Sequence, residues 1–219
     1  MKKFKLERVE PADIERRSFE IIAQELGERR LDPDHEAVIK RAIHTTADFD
    51  YADNLLFSAQ AVQRAVKALR DGAHIVTDTQ MAASGVNRRI LHALGGQIHC
   101  FMSDGSVAEE AKRRGITRAT ICMERAAELT MPLIIAVGNA PTALVRLYEL
   151  IAEGRIRPEL VIGVPVGFVN VVEAKELIMT ADVPFIVARG RKGGSNVAAA
   201  ICNALLLLAE KDEEKKDEG

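Results

Sequence analysis

Apolar positions along the chain first follow a helical period and later fall into short apolar runs. From Pro11 to Leu26, residues Ile14, Ser18, Ile21, Ile22 and Glu25 keep a helical spacing. Pro11 suits a first turn, Asp13 and Glu15 favour its positive end, and Gly27 ends the run. Asp32-Pro33 predicts the cap and first turn of a second helix, running to about Thr46. Residues 48–57 read as a loop holding Tyr51 and Phe57, and Ser58 as the cap of a helix over 59–70. A regular alternation follows. Residues 75–77, 97–102, 133–137, 160–164 and 184–188 are short, rich in Ile and Val, and apolar on both sides, as buried strands are. Helical stretches lie between them, over 87–94, 106–114, 117–129, 141–152 and 170–179, and a last one over 195–208 closes the pattern. Strand, crossover and strand at this pitch predict an α/β fold. Its sheet is doubly wound, mainly parallel and five- or six-stranded, with helices on both faces in three α/β/α layers.

Composition narrows the function. The 219 residues suit one domain over 1–209, followed by a charged tail over 210–219 expected to be disordered. Net charge is −2, and the tail holds six acids against three lysines, which leaves the body at +1. With 4% aromatics and no Trp, neither a charge footprint nor a stacking surface for nucleic acid is expected. No apolar run is long enough to span a membrane, and Met1-Lys-Lys-Phe-Lys lacks the apolar stretch of a signal peptide. Cys100, Cys122 and Cys202 sit in apolar segments, as buried thiols of a reducing cytoplasm do. His92, His99 and Cys100 match no zinc spacing, so no metal site is expected.

The candidate chemistry begins at Lys40-Arg-Ala-Ile-His-Thr-Thr-Ala-Asp48, at the end of the second helix. A histidine side chain can give or take a proton in acid/base work, and Arg41, three residues before His44, shares its helix face. The pair joins an acid/base group to an anchor for carboxylates. A histidine closing a helix C-terminus for electrostatic reasons has the same pattern. Ser18, a small polar group on an apolar stripe, is either a packing residue or a ligand donor.

In a doubly wound sheet, ligands bind beyond the carboxyl ends of the strands. That edge collects Asp78 and Met81, then Gly138, Asn139 and Thr142, then Val166, Gly167 and Phe168, then Arg189-Gly-Arg-Lys-Gly-Gly-Ser195. Glycine loops leading into helices offer backbone N–H groups to an anion, and they also simply make tight turns. The nucleotide fingerprints GxxxxGK[ST] and GxGxxG after a strand are missing, as is GxSxG, and no cysteine sits at a strand end as a nucleophile.

Five segments together resemble a known family: Ile14-Glu-Arg-Arg-Ser-Phe19, Arg41-Ala-Ile-His44, Gly138-Asn-Ala-Pro-Thr-Ala-Leu144, Gly163-Val-Pro-Val-Gly-Phe-Val169 and Arg189-Gly-Arg-Lys-Gly-Gly-Ser195. They resemble precorrin-8X methylmutase and its anaerobic counterpart, cobalt-precorrin-8 methylmutase, of cobalamin biosynthesis, from about residue 10 to residue 209. The resemblance implies a cytoplasmic homodimeric isomerase with an α/β fold and its active site near the interface. It implies no organic cofactor and no metal site, any cobalt being carried by the corrinoid tetrapyrrole substrate. The reaction it implies is movement of a methyl group from C-11 to C-12 of the corrin ring, a formal 1,5-sigmatropic shift. The product is hydrogenobyrinic acid or its cobalt form, cobyrinic acid. The family's catalytic histidine falls on His44, and its substrate-contacting residues on Ser18, Arg41 and Arg118. Ser84 stands where some relatives carry a histidine. Such a substrate needs an apolar slot, as from Met81, Val166 and Phe168, and rim donors, as from Asn139, Thr142 and the amides of Gly138 and Gly167. Asp78 completes the candidate contacts. Two rival readings are a non-catalytic corrinoid carrier and an enzyme of nucleotides or sugar phosphates.

Overall fold

The computed structural model describes residues 6–217, with side chains to residue 211. The leader expectation falls on residues 1–5 and the end of the tail on 218–219, both outside the described residues. A 3-10 turn over Pro11–Asp13 leads into α1 (Ile14–Leu26), which stops at Gly27 with φ 58°. α2 (Glu36–Thr46) follows. The helix was expected to start at Asp32-Pro33, but it begins at Glu36 with His35 at the cap position. The residues before it form a separate turn, in which Asp32 Oδ1 accepts from the amide of Asp34 and the Asp32 carbonyl from those of His35 and Glu36. The expected loop over 48–57 instead holds a single helical turn, α3 (Tyr51–Asn54), and a strand, β1 (Leu55–Phe57). Ser58 does not cap the next helix, α4 (Ala61–Arg70); its hydroxyl accepts from the amide of Phe185 and fastens the end of β1 to the neighbouring strand over 185–188.

The alternating part is β2 (His74–Thr77), α5 (Gln80–Gly85), α6 (Arg88–Ala93), β3 (Ile98–His99), α7 (Gly105–Arg114), α8 (Arg118–Ala126), β4 (Leu133–Val137), α9 (Pro141–Ala152), β5 (Leu160–Gly163), α10 (Val171–Ile178), β6 (Phe185–Ala188) and α11 (Ser195–Asp217). α5 was not expected, and β3 is shorter than the apolar pattern suggests, because Phe101 turns the chain into a 3-10 helix. α11 runs well past the predicted end, its backbone reaching into the charged tail.

The six strands lie in the order β1-β6-β5-β4-β2-β3. β2 to β6 are parallel, and β1 pairs with β6 antiparallel, Leu56 opposite Val187. One core lies between the sheet and α1, α2, α4, α5, α6 and α11; the other lies under α7 to α10. This is the three-layer α/β/α architecture. Strand order reverses between β2 and β4, so the loops after these two strands part at the edge where a ligand crevice forms in such folds.

Candidate functional site

At that reversal, the protein fills its own crevice. Asp78 is fully buried just beyond β2. Its Oδ1 accepts from the amide of Gly138 at 2.8 Å, and its Oδ2 from those of Asn139 and Ala140 at 2.8 and 2.7 Å. Burial raises the Asp78 carboxyl above its ordinary value, and the three amides oppose that shift. The backbone of Ser195 closes over the same point. A Cβ on Gly138 would stand 2.7 Å from the Ser195 Cα. Thr79 and Ser195 share a hydroxyl hydrogen bond of 2.8 Å. Asp78 and Gly138, expected among the substrate contacts, are engaged with each other, one as a buried acceptor and the other as a buried donor to it. The amide of Gly167 is also engaged, donating to the Arg191 carbonyl at 3.2 Å.

What stays open at this edge is apolar bulk and unpaired cation. Phe168 is 82% exposed, Val169 78%, Met81 71% and Val166 47%. Asn139, Thr142 and Arg118 are exposed as well, Thr142 lining one groove with Val169. Thr117 caps α8, bonds to the hydroxyl of Thr142 at 2.8 Å, and so fixes Arg118 at the first turn beside the loop after β4. A groove of about 370 Å³ runs between Thr120, Thr142, Val145 and Val169. The Arg191 guanidinium lies 5.6 Å from the Phe168 ring centroid. Among the described residues neither Arg118 nor Arg191 forms an ion pair, whereas Arg189 is paired with Glu176. Exposed apolar area with the Arg191 guanidinium beside it suits a large apolar ligand with acidic substituents.

The second group stands on α1 and α2. The aromatic ring of Phe19 organises it. His44 stacks on it with centroids 5.1 Å apart, and the Arg41 guanidinium lies 4.8 Å from its centroid. Arg41 is also ion-paired to Glu15. His44 is exposed in the last turn of α2. It opens on a groove of about 370 Å³ lined by Ser18, Ile21, Ile22, Ile43 and Phe49. Ser18 donates its hydroxyl to the Ile14 carbonyl at 2.9 Å, which leaves its lone pairs free to accept. Arg41 and His44 thus meet on the ring of Phe19, a residue to which the sequence reading gave no role, and Ser18 shares the groove of His44.

The loop from β6 to α11 joins the two groups. Lys192 Nζ reaches the carboxylates of Asp48 and Asp50, 2.6 Å from each, just past the end of α2. These two acids raise the lysine, and the lysine lowers Asp48 below the usual carboxylate range. Underneath, Lys175 is fully buried on α10 and donates to the carbonyls of Gly190 and Lys192, both at 2.8 Å. Burial lowers it to about 8, so the ammonium form prevails at neutral pH. Lys175 also went unread, although it lies on the apolar stripe of Val171, Ala174 and Ile178. A lysine at a core position of a helix is a visible signal. No group of three or more potential metal-ligating side chains occurs among the described residues.

Comparison with known proteins gives the family. The family model of precorrin-8X methylmutase matches residues 13–208. The chain is 45% identical to the cobalt-precorrin-8 methylmutase of Priestia megaterium, over 94% of this chain and 92% of that one. It is 48% identical to that of Salmonella typhimurium, over 90% and 95%. A precorrin-8X methylmutase structure from Thermus thermophilus superposes with a TM-score of 0.84 at 42% identity, covering 91% of this chain and 98% of the other. The chain belongs to the precorrin-8X methylmutase family, isomerases of cobalamin biosynthesis.

Proposed function

We propose that this protein moves the methyl group of precorrin-8X or cobalt-precorrin-8 from C-11 to C-12, giving hydrogenobyrinic acid or its cobalt form. One carbon–carbon bond breaks and one forms, and no electrons are gained or lost, so no redox partner is needed. The observation that carries the reading is His44 exposed over an apolar groove, with Arg41 held beside it by Phe19. His44 acts as the acid. Its proton polarises the conjugated ring near the migrating methyl and lowers the barrier to migration, a contribution of about 10²–10⁴-fold. Arg41, Ser18 and Arg118 hold peripheral carboxylates, together with Asn139 and Thr142. Met81, Val166 and Phe168 cover the macrocycle. Any cobalt travels with the substrate, and the protein uses no cofactor of its own.

The working form is a homodimer in the cytoplasm. Bare apolar side chains at Met81, Phe168 and Val169 support a face covered by a second copy or by substrate. Three free thiols, and the absence among the described residues of any helix long and apolar enough to cross a membrane, support the location.

The test is a visible absorption spectrum of wild type and His44→Ala after mixing with precorrin-8X, and separately with its cobalt form. Conversion by wild type, slowed at least 100-fold in the variant while pigment still binds, is the expected result. Binding without conversion of either substrate by wild type would make the protein a carrier. Full activity in His44→Ala would remove the acid role.

A further inference from the structure

We propose that Lys175 is a positioning residue for substrate binding, a buried clamp that holds the β6–α11 loop so that Arg191 stands at the rim. The two carbonyls that Lys175 Nζ bonds belong to Gly190 and Lys192, the residues on either side of Arg191. The clamp thus grips the backbone on both sides of an arginine that itself has no ion-pair partner among the described residues. The loop has little room to relax elsewhere. A Cβ on Gly193, at φ 159°, would stand 2.1 Å from the Val164 carbonyl oxygen, and the amide of Gly194 donates to that same oxygen at 2.9 Å. The Arg191 carbonyl accepts from Gly167, next to Phe168, so the position of the apolar rim follows that of the loop. Lys192, the far end of the clamp, carries the ion pairs to Asp48 and Asp50 below His44. An ammonium without a carboxylate partner, fully buried on a helix, is costly in solvation, and its two carbonyl bonds are what offset that cost. Those bonds are spent entirely on the shape of one loop.

The kinetic part of this inference rests on the methylmutase reading; the structural part does not. Lys175→Met keeps length and removes the donor. In ligand-free protein, hydrogen exchange at the amides of residues 190–194 is expected to speed up at least tenfold. With precorrin-8X, KM is expected to rise about tenfold while kcat changes less than threefold, the mark of lost uniform binding. Because Lys175 acts through Arg191, Arg191→Ala should raise KM about tenfold alone and add less than twofold in the Lys175→Met background. Fully multiplicative effects, or unchanged exchange in the loop, would overturn the proposal. Should Lys175→Met fail to fold, Arg191→Ala decides on its own, because an unchanged KM there leaves the clamp nothing to position. If wild type neither binds nor converts a corrinoid, the functional reading fails and the exchange result alone judges the clamp.

Discussion

Replacing Asp78 by Asn separates a scaffold from a substrate contact at the point where the strand order reverses. The side chain keeps its shape and loses its charge and one acceptor. With the amide oxygen turned toward Asn139 and Ala140, those two bonds survive in neutral form. The new NH₂ then faces the Gly138 amide, which had donated at 2.8 Å. One bond to a charged group is lost, worth about 1.5–3 kcal/mol, and a buried donor is left without a partner, at about 1–3 kcal/mol. Relief of the buried charge, whose cost is visible in the raised carboxyl, offsets part of this. A net loss of about 2–4 kcal/mol remains, which for a chain of this size lowers Tm by roughly 4–16 °C. Thermal unfolding followed by circular dichroism measures it, with precorrin-8X kinetics on the same samples below the transition. A Tm within 2 °C of wild type together with a raised KM would refute the reasoning, because it would make Asp78 an open substrate contact.

Further expectations follow from the same structure. Gly138→Ala should destabilise by about 1–3 kcal/mol in urea titration, because its Cβ would meet the Ser195 Cα at 2.7 Å and neither backbone has room to yield. His74 and His99 share a ring hydrogen bond of 2.8 Å, and burial with the neighbouring imidazole lowers His99 below its ordinary 6.5. As pH falls below that ordinary value, the unfolded chain takes up a proton before the native His99 does. Stability present above about pH 6.5 is therefore lost toward the lower native value, and Tm measured from pH 7.5 to 5 should fall less steeply in His99→Asn. Cys122 and Cys202 are buried and pushed up to about 12, whereas Cys100 is only half-buried. Ellman's reagent should therefore titrate one thiol quickly in native protein and all three in denaturant.

The strands most legible in the sequence are those whose limits are local. Residues 133–137 form five consecutive buried positions between Pro132 and Gly138, and Pro141 starts the next helix; β4 and α9 fall where the pattern puts them. β1 has no such signal. Three residues become a strand only because β6 offers an open edge, and Ser58 is diverted from capping for the same reason. At the site, the pairing of Arg41 with His44 was readable from helical spacing, while Ser18 joined them only through the family resemblance, and the ring that holds Arg41 and His44 lies on another helix. Asp78 was read as a ligand contact from its place after a strand. Only the closing of the β4–α9 loop around it shows that its oxygens are filled. Lys175 was legible from its place on the apolar stripe of Val171, Ala174 and Ile178, although a single lysine in a helix is ordinarily a solvated one.

The antiparallel edge strand also has a consequence for synthesis. Phe57 pairs with Ile186, so the two are about 130 residues apart in the chain. At the usual pace of translation, the first strand waits roughly 7–26 s for its partner to be made. α2 waits longer still, since it packs on α11 at the end of the chain. Pairings so distant in sequence form late and slowly. The helix bearing His44 is thus made early and seated late, and a nascent chain stopped before α11 would carry α2 without the long helix on which it packs.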